Sequence, residues 1–123
     1  MSVIDRAQAH RQSTRTPLSE MAAELNAGLG TTLVALLGNS NDRKQAIRWA
    51  EGASPRVPTE QRLRAAYEAW VLLAANESEA IARAWFIGTN PLLDDRSPVE
   101  VLRETENNTG RVLGAAAQFV ALQ

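Results

Sequence analysis

Basic and amide side chains that suit nucleic acid cluster in one short stretch, directly after the turn-like residues NSN at 39–41. Lysine and arginine neutralise phosphates or donate to guanine O6 and N7, and glutamine pairs with adenine in the major groove. If residues 42–51 form a helix, its inner face carries Ala46, Ile47 and Ala50, and the polar side chains project away from that face. The projecting residues form the predicted basic face: Lys44, Gln45 and Arg48, with Arg43 at its edge.

The segments around the basic face have the layout of a helix-turn-helix. The apolar segment TTLVALL at 31–37 precedes the NSN turn, and the proline-containing linker ASPRVP follows the helix 42–51. That order is typical of a DNA reader whose second helix enters the major groove. Arg62 and Arg64 of the next helix are expected near the DNA backbone, and Trp49 is expected to pack inside the helix pair. An ordinary amphipathic helix with a solvated basic side would give the same local pattern.

Residues with the chemistry for catalysis or metal binding are sparse. Hydrolysis or group transfer requires a nucleophile with a base, paired carboxylates or a metal. The single histidine, His10, falls in a polar N-terminal segment where nothing is expected to orient it. The adjacent Asp94 and Asp95 are expected to cap the helix that follows them. Because the chain also has no cysteine, we expect no catalytic residue, no metal, no cofactor and no enzyme activity.

Charge separates the middle of the chain from its later half. Residues 42–64 contain six basic and three acidic side chains (+3), whereas residues 65–106 contain three basic and eight acidic ones (−5). Such asymmetry is typical of one surface that meets a polyanion and another that meets a different partner, although a random scatter of solvated charges gives the same small bias. No apolar run reaches about 20 residues and no secretory signal is recognisable, so a cytoplasmic protein without a membrane partner is expected.

Every predicted element is helical, because no segment alternates apolar and polar residues with β-branched enrichment. We predict an all-α protein of six or seven short helices. It comprises a flexible tail at 1–15, a helix-turn-helix region at 16–75 and a C-terminal helical region that binds the partner at 76–123. The clearest helix begins near Thr59 and carries a continuous apolar stripe of Leu63, Ala66, Tyr67, Trp70, Val71 and Ala74.

Capping signals place the other helix starts. Pro17 is expected at the first position of a helix, and the last helix is expected to begin near Arg111. Two capping boxes are predicted, Asn76 with Glu79 and Ser97 with Glu100. The helix after the first box is expected to bury Ile81, Ala84 and Trp85.

The connector TNPLLDDR, residues 89–96, places two leucines in a loop between two of these helices. Exposed leucines are unfavourable in water unless something covers them. At least one of Leu92 and Leu93 is therefore expected to fold under Trp85 and Phe86. The connector then fixes the angle between two helical parts that together form a partner surface.

Several segments together resemble the Xre/MbcA/ParS-like antitoxins, over about residues 31–123 of this chain. The matching segments are RWAEG (48–52), Pro58, EQRLRAAYEA (60–69), ARAWFIGTNPLLDDRSPVEVLRE (82–104) and RVLGAAAQFV (111–120). The most specific pattern is AWF-x-G-x-NP-x-LDD-x-SP, and the chain looks like a mycobacterial-type branch. Residues 38–49 are slightly longer than in many members, a departure that affects the turn and the basic face.

The resemblance implies an antitoxin that binds and inhibits a cognate RES-domain toxin. Such toxins consume NAD⁺ or use it to modify another protein, and their antitoxins block the NAD⁺ site with their C-terminal end. The complex commonly represses its own operon, so operator DNA, a homodimer and a hetero-oligomer with the toxin are expected. The toxin-binding residues expected here are Trp85, Asn90, Leu92, Leu93, Phe119, Val120, Leu122 and Gln123.

The C-terminal segment has two expected fates. Its apolar end either docks on its own domain or enters the toxin cleft, with Phe119 as the anchor and Leu122 and the Gln123 carboxylate near groups that bind NAD⁺. Two further functions stay open: a helix-turn-helix transcriptional regulator without a toxin partner, and a structural helical adaptor.

Overall fold

The computed structural model describes residues 3–104 and 108–123, and the regular elements there are helices. In chain order they are α1 (Arg6–Arg15), α2 (Leu18–Leu29), α3 (Thr31–Leu37), α4 (Arg43–Ala50), α5 (Val57–Asn76), α6 (Glu79–Ile87), the 3₁₀ turn Pro91–Leu93, α7 (Pro98–Glu104) and α8 (Thr109–Ala121). Within the described ranges, β-type pairing is limited to one bridge between Asn90 and Arg96. The all-α prediction is confirmed.

The long helix α5 is the centre of the fold, because its apolar stripe meets several other helices. Leu63, Ala66 and Tyr67 are fully or almost fully buried, and α1, α2, α3, α6, α7 and α8 all pack against α5. The buried apolar side chains form one cluster with members on both sides of position 76. The two predicted regions, 16–75 and 76–123, therefore share a core. None of the described helices is long and apolar enough to cross a bilayer.

Residues 6–15, predicted as part of a flexible tail, instead form the helix α1. Asp5 and Gln8 make a reciprocal capping box, in which each side chain accepts from the other's backbone N–H at 2.8 and 2.9 Å. Ser13 is buried, and its carbonyl accepts a hydrogen bond of 2.6 Å from Arg64 Nη1. The prediction was wrong because contacts to distant residues, and not an apolar stripe, hold α1 on α5.

The strongest predicted capping box is present at the start of α7. The Glu100 N–H donates to Ser97 Oγ at 3.2 Å, and the Ser97 N–H donates to Glu100 Oε1 at 3.3 Å. Pro98 is the first residue of the helix, as predicted. At the start of α2, Pro17 is the residue before the first helical position, which is Leu18. Sequence signals thus locate these two starts to within one residue.

The other predicted capping box, Asn76 with Glu79, is wrong. Ser78 caps α6, because its Oγ accepts from the Ile81 N–H at 3.1 Å. Asn76 instead ends α5, and its Nδ2 donates to the carbonyl of Ile4 at 2.8 Å. Ser78, a second polar residue at the helix start, is the cap. The Asn76 side chain is engaged instead in a tertiary hydrogen bond to the N-terminal segment.

Gly28 of α2 lies directly against the Trp70 ring of α5. A Cβ atom at position 28 would lie 2.3 Å from Cζ2 of Trp70, so Gly28→Ala should push the two helices apart. We expect the variant to lower the free energy of unfolding by about 1–3 kcal/mol. Urea unfolding followed by circular dichroism measures the change.

The matched control for Gly28→Ala is Gly114→Ala in α8. Apart from its chain neighbours and the backbone of its own helix, an added Cβ there would meet no described atom within 4 Å. Alanine should then raise the free energy of unfolding by about 0.5–1 kcal/mol, because it loses less backbone entropy than glycine in a helix. Equal stabilities for the two variants would contradict the close contact between α2 and α5.

Candidate functional site

An apolar groove of about 590 Å³ lies between α6, the connector and α8. Three large side chains at this groove are exposed: Ile81 by 41%, Leu92 by 53% and Leu122 by 72%. None of the charged residues that the structure describes lines it. The lining residues are Ile81, Ala84, Trp85, Gly88, Thr89, Asn90, Pro91, Leu92, Ala115, Gln118, Phe119 and Leu122. Several exposed apolar side chains around one concave surface are typical of a binding site.

The connector is a closed, hydrogen-bonded loop that separates its two leucines. The Asn90 side chain accepts from the Leu92 N–H at 2.9 Å, and the Asn90 N–H donates to the Arg96 carbonyl at 3.1 Å. Leu93 is fully buried in the core, whereas Leu92 faces the groove. The expectation that at least one leucine folds inward is confirmed.

Asp94 and Asp95 turn the chain and do not cap α7. Both have left-handed backbone conformations, with φ of 59° and 60°, and Ser97 is the capping residue of that helix. Asp94 Oδ2 lies 3.2 Å from Nη2 of Arg111 in α8, which also donates to the Leu92 carbonyl at 3.2 Å. The capping expectation was wrong, and these contacts instead join the connector to α8.

Arg96 closes the other end of the connector through the carboxylate of Glu104. This hydrogen bond raises the pKa of Arg96 above its usual value, so the guanidinium stays charged. Because the pair is exposed, it contributes little to the free energy of unfolding. We assign it a role in orienting α7.

Trp85 is both a core residue and a wall of the groove. Its ring packs edge-on against Phe86, with ring centroids 5.2 Å apart and an interplanar angle of 89°. Its indole N–H is buried without a hydrogen-bond partner among the described residues. Because most of the ring is inside the protein, removing it should affect the fold as well as the groove.

The end of α8 is partly docked and partly free. Phe119 and Val120 are half-buried and pack against the core. Leu122 and Gln123 lie beyond that contact and are exposed, although the Gln123 side chain donates to the Phe119 carbonyl at 3.2 Å. Phe119 therefore docks on its own domain, and Leu122 is exposed. Entry of the C-terminal segment into a toxin cleft stays a prediction.

The structure brings most of the predicted toxin-binding residues to one place. Five of the eight line the groove: Trp85, Asn90, Leu92, Phe119 and Leu122. Leu93 belongs to the core, and Val120 and Gln123 lie outside the lining.

The walls of the groove include residues that the sequence analysis did not assign to a site. Ile81 and Ala84 were expected to be buried, but both are exposed. Their spacing with Trp85 and Gly88, at i, i+3, i+4 and i+7, was the available signal for one helix face. An apolar face alone does not tell whether the face lies in the core or in a groove.

The helix α4 presents the predicted basic face to solvent. Arg43, Lys44 and Arg48 are exposed, and Gln45 is half-buried. Asp42 caps α4, because its carboxylate accepts from the Lys44 N–H at 3.0 Å. The helix packs on α2 and α3, so its basic side chains are held on a fixed support.

Residues around the basic face depart from the prediction in part. Ile47, expected on the inner face of α4, is 37% exposed. Arg62 is buried, and Arg64 donates to the carbonyls of Ser13 and Thr16, so neither is free for the DNA backbone.

Trp49 packs in the core as predicted, since it is buried against Gly38 of the turn. A Cβ atom at position 38 would lie 2.4 Å from the Cη2 atom of Trp49. The turn between α3 and α4 therefore needs glycine at this position because of close packing.

His10 is oriented by a buried carboxylate, contrary to the expectation that nothing would hold it. Its Nδ1 lies 2.8 Å from Oε1 of Glu68, and the Ser13 hydroxyl donates to the same oxygen at 3.1 Å. A nucleophilic serine would contact the imidazole, whereas both groups here meet the carboxylate. We assign this cluster to anchoring α1. Within residues 3–104 and 108–123, no group of three or more His, Cys, Asp or Glu residues is placed to hold a metal.

In comparisons with known proteins, no family model, no curated protein and no solved structure matches this chain. The groove and the basic face are therefore interpreted from their own residues. The resemblance to the Xre/MbcA/ParS-like antitoxins stays a prediction, which rests on the segments between residues 48 and 120 named above.

Proposed function

We propose that this protein is an antitoxin that binds and inhibits a RES-domain toxin through the apolar groove and the exposed end of α8. The main observation behind the proposal is the groove. Residues 84–98, the most specific segment of the family resemblance, supply much of its lining on α6 and on the connector. The chain acts in this proposal by binding, without catalysis and without a cofactor.

The physical argument for a partner is the exposure of large apolar side chains around the groove. Burying a fully exposed leucine side chain stabilises a complex by about 1.5–3 kcal/mol. Leu92 is 53% exposed and Leu122 72%, so about half of that stabilisation is still available from Leu92 and a larger share from Leu122. Leu122 is exposed and also lines the groove. In this proposal Leu122 blocks the NAD⁺ site of a toxin that is held at the groove.

The proposal includes operator binding through the basic face. The helix α4 packs on α2 and α3, whereas the groove is built by α6, the connector and α8. Because the two surfaces belong to different elements, the protein is expected to bind toxin and DNA together and so to regulate its own operon. A homodimer would present two α4 helices to the two half-sites of an operator.

A direct test of the antitoxin proposal uses the gene next to this one, which is expected to encode a RES domain. The two proteins should co-purify after co-expression, and this protein should suppress the NAD⁺ consumption of its neighbour in a dose-dependent way. A neighbouring RES protein that neither co-purifies nor loses activity would refute the proposal.

The exposed basic face also favours a second candidate function, a transcriptional regulator without a toxin partner. Tight, sequence-specific binding by this protein alone, together with a neighbouring gene of unrelated type, would support it. The apolar groove would then need another explanation, and for this reason we rank the regulator second.

The double variant Lys44→Ala/Arg48→Ala should weaken operator binding without affecting toxin inhibition. Each phosphate contact that is lost should reduce the slope of log K against log salt by about 0.9. Fluorescence anisotropy with operator DNA at several salt concentrations measures the slope. The control, Arg6→Ala/Arg11→Ala, removes the same charge from exposed positions of α1 and should leave the slope unchanged; equal slopes for both variants would place the DNA surface elsewhere.

A further inference from the structure

Each helical wall of the groove is a single helix face. The lining residues of each helix follow the spacing i, i+3, i+4 and i+7, which places them on one side of that helix. On α6 they are Ile81, Ala84, Trp85 and Gly88. On α8 they are Ala115, Gln118, Phe119 and Leu122. Both helices pack on α5, and in the described part of the chain they make little contact with each other. Two helix faces that are supported from one side and separated by a gap leave the space that a third helix fills in a bundle.

The shape of the walls suits a short helix. Small residues (Ala84, Gly88 and Ala115) alternate with large ones (Trp85 and Phe119), so the walls offer hollows between ridges. Seven residues of helix rise about 10.5 Å, so each wall meets about two turns of an occupant. That length accommodates three apolar anchors at i, i+3 or i+4, and i+7.

The backbone chemistry of the groove disfavours an extended occupant. A peptide that binds as a strand needs free N–H and C=O groups along a sheet edge, whereas the two long walls here are helices whose backbone groups are already hydrogen-bonded. The polar side chains in the lining are Thr89, Asn90 and Gln118, too few for a strand of several residues. A helix satisfies its own backbone hydrogen bonds and needs only the apolar contact.

One negative charge lies at the edge of the groove, beside Asn90. The Asp95 N–H donates to the Asn90 carbonyl at 2.9 Å, and Asp95 is exposed. Asp95 is in no ion pair with a described residue, whereas Asp94 is paired with Arg111. This charge favours lysine or arginine at the adjacent end of the occupant.

We propose that the groove binds an amphipathic helix of the partner protein, with apolar side chains along one face and lysine or arginine at the end that meets Asp95. This inference rests on the proposed function, because the helix is assigned to the RES-domain toxin. It adds a contact in which a toxin helix lies in the groove of the antitoxin, beside the proposed contact of Leu122 with the toxin.

The test is a selection from a random 16-residue peptide display library on the full-length protein, with counter-selection on the Leu92→Glu variant. Enriched peptides should show apolar residues at i, i+3 or i+4, and i+7, with lysine or arginine near one end. A synthetic enriched peptide, measured by fluorescence polarisation, should bind Leu92→Glu at least about tenfold more weakly, and a central proline in the peptide should weaken it as much. Val57→Glu, at an exposed position outside the groove, is the matched control and should bind as the parent does.

The outcomes separate this inference from the proposed function. No enrichment, or enrichment of acidic or non-helical peptides, overturns the helical occupant. A parent protein that is dimeric by analytical ultracentrifugation and becomes monomeric with Leu92→Glu also overturns it, because a second copy then fills the groove. Helical peptides that bind but do not compete with the RES-domain protein support the groove chemistry and count against the toxin as its partner.

Discussion

Trp70→Ala should lower the free energy of unfolding by about 3–5 kcal/mol, the usual effect of truncating a buried tryptophan. Trp70 is almost fully buried in α5, and its ring lies against Gly28 of α2. Truncation would leave a cavity between the two helices that glycine is too small to fill. Since domains of this size are stable by about 5–15 kcal/mol, we expect partial unfolding at 37 °C and the joint loss of DNA and toxin binding. Urea unfolding measured by circular dichroism gives the value.

Trp85→Ala is the informative comparison for Trp70→Ala, because Trp85 is equally buried but also lines the groove. It should destabilise the fold by a similar amount, and Trp85→Phe should restore most of the stability. If Trp85→Ala remains fully stable and loses only toxin binding, the ring is a binding anchor and its assignment to the core is wrong.

The parts of the fold that the sequence predicted are those determined by local rules. The stripe from Leu63 to Ala74 follows from helical periodicity, and the Ser97–Glu100 box needs only residues three positions apart. α1 was not predicted, although Asp5 and Gln8 form a capping box at its start. The contacts that hold α1 on α5 are distant in sequence: His10 meets Glu68, 58 positions away, and Arg64 donates to the Ser13 carbonyl. From sequence alone, a polar segment without an apolar stripe is predicted to be a flexible tail, because the residues that it contacts cannot be identified.

The candidate site, too, was predicted in part from local sequence and depends in part on the tertiary structure. Trp85, Leu92 and Phe119 were assigned from the motif, and the structure brings them to one groove. Leu93 is buried while Leu92 is exposed because both lie in the 3₁₀ turn Pro91–Leu93, where consecutive side chains point in different directions. Helical periodicity does not reveal such a turn. The gap between α6 and α8 likewise depends on how both pack against α5, which only the tertiary structure gives.

Deleting Leu122 and Gln123 should weaken toxin inhibition strongly without affecting the fold. Leu122 is exposed beside the groove, and the core contacts of the segment are made by Phe119 and Val120, so the shortened chain retains its packing. A deletion of residues 119–123 would remove that packing too and would confuse instability with lost binding.

The size of the effect follows from the apolar area that Leu122 would bury in the toxin. Burying a fully exposed leucine contributes about 1.5–3 kcal/mol. Leu122 is 72% exposed, so about 1–2 kcal/mol is available, and the inhibition constant for NAD⁺ consumption should rise about 5- to 40-fold. Leu122→Gln keeps the length of the chain and separates the apolar contact of Leu122 from the contacts of Gln123. If Leu122→Gln inhibits as the parent does while the deletion fails, Gln123 makes the contact. A deleted protein that inhibits at the same concentration as the parent would exclude residues 122–123 from the mechanism and leave the rest of the groove as the toxin surface.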